Sequence, residues 1–148
     1  MPETLVPLEQ MMPLIRERLA SGETVQFTTR GTSMRPMLDN GKDQVILSPL
    51  PEKLKKFDLP LYRRENGQFV LHRIFKIRNE GYYMMGDRLI DLEGPIEADA
   101  IFAIVTEVER NGRWISTDAF CWKFICGAWR ALYPVRKLAY RLRKAIRK

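Results

Sequence analysis

Between residues 24 and 116 the apolar residues fall in short runs, several alternating with polar ones, and glycine, proline or asparagine keeps interrupting them. Successive side chains of a strand point to opposite faces, so this pattern predicts an antiparallel β-domain. The expected strands cover residues 24–30, 44–47, 59–64, 68–78, 81–85, 100–110 and 114–115. Glu65-Asn66-Gly67 and Asn111-Gly112 are expected as hairpin turns, because Asn-Gly tolerates the positive φ that tight turns need.

The two ends read differently. Leu8 to Ala20 places Met11, Leu14, Ile15 and Leu19 at helical spacing, with Pro13 expected in the first turn and Ser21-Gly22 as the stop. Beyond Ser116, Thr117-Asp118 is expected to cap a helix through Leu132, broken at Tyr133-Pro134. A last helix from Val135 would put Val135, Leu138, Ala139, Leu142 and Ile146 on one stripe, with Arg and Lys on the other face. The expected class is therefore mainly β within an α+β fold. A β-domain spans 1–116, with a short N-terminal helix, and an aromatic, basic helical tail spans 117–148.

Charge follows the same division. The chain of 148 residues carries a net charge of +7, yet from Arg130 onward every charged residue is Arg or Lys, and the remainder is close to neutral. The basic signal belongs to the tail. Cys121 and Cys126 match no common zinc spacing, and the chain holds 1 histidine, so neither a metal nor a cofactor is expected. No basic segment followed by an apolar one opens the sequence, and no uninterrupted apolar run is long enough to span a bilayer. These features lead to the expectation of a cytoplasmic protein or one bound peripherally to a membrane.

His72 lies in Phe69-Val70-Leu71-His72-Arg73-Ile74. Ser33 follows a Gly31-Thr32 turn at the end of an expected strand. A serine hydroxyl becomes a useful nucleophile only when a base takes its proton and backbone N–H groups face the developing oxyanion, which a glycine-containing turn permits. Asp87, after Gly86, and Asp91 are candidates for the carboxylate that would hold the imidazole in one tautomer.

Taken in order, these segments resemble a known group of enzymes. Gly31-Thr32-Ser33-Met34-Arg35-Pro36 is similar to the Ser-Met-x-Pro box of the signal peptidase I and LexA-type superfamily of serine peptidases. Phe57-Asp58-Leu59-Pro60-Leu61-Tyr62 resembles that superfamily's Gly-Asp strand, with Phe57 in place of the glycine. Val70-Leu71-His72-Arg73-Ile74 resembles its base-bearing strand in the histidine version, and Gly86-Asp87 with Asp91 its Gly-Asp…Asp box. With the closing strands the likeness covers about two-thirds of the chain.

The resemblance implies a strand-rich fold with a Ser–base dyad beside a shallow groove that takes a peptide or protein substrate as an extended strand. Carried onto this chain, Ser33 is the nucleophile and His72 the base. Asp91, or alternatively Asp87, orients the histidine. Gly31 and Thr32 support the oxyanion site, and Met34 and Pro36 line the groove. Strand alternation also puts Lys76 on the face of His72, which keeps a Ser–Lys dyad open as a rival. A histidine base predicts activity rising through pH 6 to 7. The alternative function is a non-catalytic or self-acting peptide-binding domain of the same fold. For the tail, aromatic residues beside basic ones suggest peripheral membrane contact; no nucleic-acid motif accompanies the charge.

Overall fold

The computed structural model describes residues 8–28 and 43–146. Helix α1 (Leu8–Ala20) leads into strand β1 (Val25–Thr28) and then β2 (Gln44–Ser48), β3 (Pro60–Arg63), β4 (Phe69–Leu71), β5 (Arg73–Arg78), β6 (Gly81–Met85) and β7 (Glu93–Ile96). A 3-10 turn, Ala98–Ala100, precedes β8 (Ile101–Arg110), β9 (Arg113–Ser116), α2 (Phe120–Ala131) and α3 (Tyr133–Ile146). The result is an α+β fold whose paired strands, among the described residues, all run antiparallel.

Two sheets divide the strands. The larger has the order β1-β2-β8-β3-β4, with β9 returning along β8; the smaller has the order β5-β6-β7. Strand β8 is the spine: β2 follows one edge, while β3 and β9 share the other at successive positions. The second hairpin turn forms as the sequence implies, with Asn111 at φ 53° and Gly112 at φ 78°.

Each sheet face has its own core. On one side Met12, Ile15 and Leu19 of α1 meet Val45, Leu47, Leu61, Ala103, Val105 and Val108 of the large sheet, with Trp122 and Cys126 of α2. Burying side chains of this size stabilises the fold by about 2 kcal/mol each. On the other side Tyr62, Ile74, Met84, Ile101 and Leu54 pack between the sheets. Strand β3 thus sits between layers, and Pro60, Leu61 and Tyr62 are all buried rather than alternating. Pro13 lies inside α1 rather than in its first turn; burial of Met12, Ile15 and Leu19 compensates for the lost backbone hydrogen bond.

The expected strand 68–78 is divided at His72. Strand β4 belongs to the large sheet and β5 to the small one, so the chain changes sheets there. Strand β7, through Gly94-Pro95, was not expected at all. Its close approach to β6 depends on glycine: a Cβ on Gly94, which has φ 151°, would stand 2.7 Å from the Tyr82 carbonyl oxygen. A Cβ on Gly81 would meet the Ile96 carbonyl at 2.7 Å in the same way.

Candidate functional site

A residue at a sheet crossover leaves one hydrogen-bonding ladder before it enters the next, and its side chain can lie between the layers. His72 does so and is 4% exposed. Its Nδ1 stands 3.2 Å from the Tyr62 hydroxyl of β3. That hydroxyl donates its own proton to Glu93 Oε2 of β7 at 2.6 Å. The oxygen then faces His72 as an acceptor, so Nδ1 carries the imidazole proton and Nε2 the lone pair.

Glu93 is anchored from its other side. Arg64, just past β3, donates to it from Nε at 2.6 Å and from Nη2 at 3.1 Å, a two-pronged pair. Burial would raise the Glu93 pKa, but the hydrogen bonds from Arg64 and Tyr62 outweigh it and hold the carboxyl below its ordinary value. Burial, then the Glu93 carboxylate, push the Tyr62 phenol up, so it stays protonated and able to donate. The Glu93 Oε2 atom is 3.7 Å from His72 Nδ1. Burial and the Arg64 charge lower the His72 pKa from 6.5 to about 4, against the opposing pull of Glu93 and Asp87. The imidazole is therefore neutral at neutral pH.

The site residues expected from sequence divide into two groups. Gly31, Thr32, Ser33, Met34 and Pro36 lie outside the described residues. The other three are placed. Asp87 is buried beside His72's neighbour: Arg73 Nε and Nη2 donate to its two carboxylate oxygens at 2.7 and 2.8 Å. Burial opposes the Arg73 charge, yet the bonds to Asp87 raise its pKa. The Asp87 backbone carbonyl accepts from Trp129 Nε1 at 2.6 Å and from Arg136 Nη1 at 2.9 Å, tying both C-terminal helices to this point. Asp91 is exposed. The carboxylate found beside His72 Nδ1 is Glu93, which sequence reading passes over because Leu92-Glu93-Gly94-Pro95 looks like a turn.

A bulge decides the placement of Lys76. Ile74 lies opposite Met84 but Lys76 opposite Tyr83, so the register slips by one residue between them. Neighbouring Met84 and Tyr83 face opposite ways, and Lys76 is carried to the face away from Ile74. Its Nζ sits 5.5 Å above the Tyr83 ring. The alternation that would have set Lys76 beside His72 is broken.

Phe57 adopts φ 75°, a left-handed conformation that favours glycine. Its N–H donates to the Ile74 carbonyl at 2.9 Å, its own carbonyl accepts from Arg73 Nη1 at 3.0 Å, and the Ile74 N–H donates to the Asp58 carbonyl at 2.8 Å. The 57–58 segment is thus fastened to the start of β5. The Asp58 side chain closes the local turn by accepting from the Lys55 N–H at 2.8 Å.

Cys121 is exposed and Cys126 is buried, and neither forms a disulfide. Among the described residues no cluster of His, Cys, Asp and Glu could hold a metal ion. No family model matches the sequence, and no curated protein matches it significantly.

Proposed function

We propose that the protein is a serine endopeptidase of the signal peptidase and LexA-like type, with Ser33 as nucleophile and His72 as general base. The observation that carries this reading is the geometry at His72, whose Nδ1 stands 3.2 Å from the Tyr62 hydroxyl that is itself bonded to Glu93, so that one ring nitrogen is held by a carboxylate relay. A general base needs one ring nitrogen oriented by a partner, so that the other faces the nucleophile's proton. Phe57 gives further support. The superfamily box has glycine there, and this chain keeps a glycine-like backbone with a bulkier residue.

In the proposed reaction the substrate lies as an extended strand. Ser33 Oγ forms a bond to the scissile carbonyl carbon while its proton passes to His72 Nε2. The tetrahedral oxyanion accepts hydrogen bonds from backbone N–H groups of the Gly31-Thr32-Ser33 segment. Breakage of the C–N bond releases the amine, which takes the proton from His72. Water then attacks the acyl-serine, giving its proton to His72, and Ser33 is regenerated with the carboxylic acid product. Tyr62 and Glu93, rather than Asp91, orient the imidazole, while Asp87 keeps Arg73.

Incubation of the protein with a diverse peptide mixture, read by mass spectrometry for new termini, tests the proposal. Ser33→Ala and His72→Ala should each abolish the cleavages that the wild type makes. Retained cleavage by either variant would sink the assignment. The depth of His72 favours a second reading, a peptide-binding domain of the same fold. Under it, wild type and Ser33→Ala would retain the same peptides and cut none.

A further inference from the structure

On a globular protein the apolar face of an amphipathic helix turns toward the core. Helix α3 does the reverse. Its contacts with the body come from its polar and aromatic side: the Tyr133 hydroxyl donates to the Ile90 carbonyl at 2.8 Å, the Tyr133 ring meets Phe75 edge-on at 5.0 Å, and Arg136 donates to the Asp87 carbonyl. Leu142 lies nine residues beyond Tyr133, about half a turn away around the axis at 3.6 residues per turn. Val135, Leu138, Leu142 and Ile146 accordingly face away from the body and are 62%, 57%, 55% and 83% exposed. Helix α2 buries Trp122 and Cys126 in the core, yet it leaves Phe120 and Phe124 stacked on each other at the surface.

We infer that α2 and α3 seat the protein on an anionic lipid bilayer, with α3 lying in the plane of the headgroups. Charge selects this occupant over a second copy of the chain. Arg141 and Arg143 flank the apolar stripe of α3 on its two sides, and from Ala119 to Ile146 there is no acidic residue. Two such faces brought together would set cations against cations. Anionic headgroups complement them, and lysine and arginine stems extend along an acyl surface while their charges reach the phosphates. The contact lies on the surface rather than through it, since no helix of the described residues is long and apolar enough to cross a membrane.

The inference stands independently of the peptidase reading, and a Ser33→Ala protein should bind as the wild type does. Flotation of the full chain with phosphatidylcholine vesicles containing phosphatidylserine, compared with phosphatidylcholine alone, tests it. The protein should rise with the anionic vesicles and remain below with the neutral ones. Replacing Leu138 and Leu142 together by Asp should abolish flotation, and these exposed positions leave the core intact, as circular dichroism would verify. Arg141→Gln and Arg143→Gln should each weaken binding about fivefold. Equal flotation with both vesicle types, no flotation with either, or unchanged binding by the double Asp variant overturns the inference. So does sedimentation showing a stable dimer that the double Asp variant dissolves.

Discussion

Arg73 and His72 are adjacent and buried, and each faces a carboxylate, yet they are held in opposite styles. Arg73 is gripped directly by Asp87 through two hydrogen bonds, and the same aspartate's carbonyl receives Trp129 and Arg136. His72 meets Glu93 through the Tyr62 hydroxyl, and Arg64 donates to both oxygens of that carboxylate. The first arrangement neutralises a buried charge and locks three elements together. The second leaves an imidazole uncharged and oriented. A strand that changes sheets makes the contrast possible, because consecutive side chains point into different layers.

The largest expected effect lies on the Arg73 side. Asp87→Ala leaves a guanidinium buried without its carboxylate and should cost about 3–5 kcal/mol of stability. Denaturant titration checks this. Replacing both partners by apolar residues, Arg73→Met with Asp87→Leu, should recover much of the loss. If Asp87→Ala instead leaves stability unchanged and abolishes cleavage, Asp87 belongs to the His72 machinery and the contrast fails.

On the His72 side, under the peptidase proposal, the effects should fall on the rate of cleavage. Tyr62→Phe removes the acceptor for Nδ1–H and the donor to Glu93. A buried group left without its partner costs about 1–3 kcal/mol, which in a transition state means roughly 5-fold to 150-fold in kcat/KM. Glu93→Gln should act in the same direction with folding nearly intact. Steady-state assays on the cleaved peptide decide whether either variant behaves so.

The proton balance separates the two sites further. With its pKa lowered from 6.5 to about 4, His72 favours folding fully above about pH 6.5 and loses that contribution as pH falls through 4. Activity should therefore have its acid limb near pH 4, lower than the pH 6 to 7 expected for an unperturbed histidine. Arg64→Gln removes a charge that depresses the imidazole and should move the limb up, whereas Glu93→Gln should move it down. A limb that stays near pH 6.5 in the wild type would show that His72 is not buried when the proposed cleavage takes place.

How much of this was visible in the sequence depends on which force shaped each part. Strands β2, β6 and β9 follow from local alternation and turn residues, and α1 matches its expected limits because its apolar spacing and Ser21-Gly22 stop agree. The break at His72 and the bulge before Lys76 were hidden, since both come from pairing with distant strands rather than from residues 68–78 themselves. Strand β7 was hidden for a related reason: Gly94-Pro95 reads as a turn until Tyr82 supplies the neighbour that needs glycine there. With β7 went Glu93. The composition shift near residue 116 is real, yet α2 beyond it contributes Trp122 and Cys126 to the main core.

The smallest effect concerns the link between the two sites. Phe57 holds φ 75° because its backbone bonds to Ile74 and Arg73 require that shape, not because phenylalanine prefers it. An L-residue with a side chain there is strained by about 1–2 kcal/mol. Phe57→Gly relieves the strain but gives the unfolded chain more freedom, worth about 0.5–1 kcal/mol in the other direction. The ring is largely outside the core, so the net result should be stabilisation by up to about 1 kcal/mol with no change in the pH limb. Destabilisation by more than that amount would mean that the Phe57 ring holds the Arg73 side in place, and that the backbone bonds alone do not.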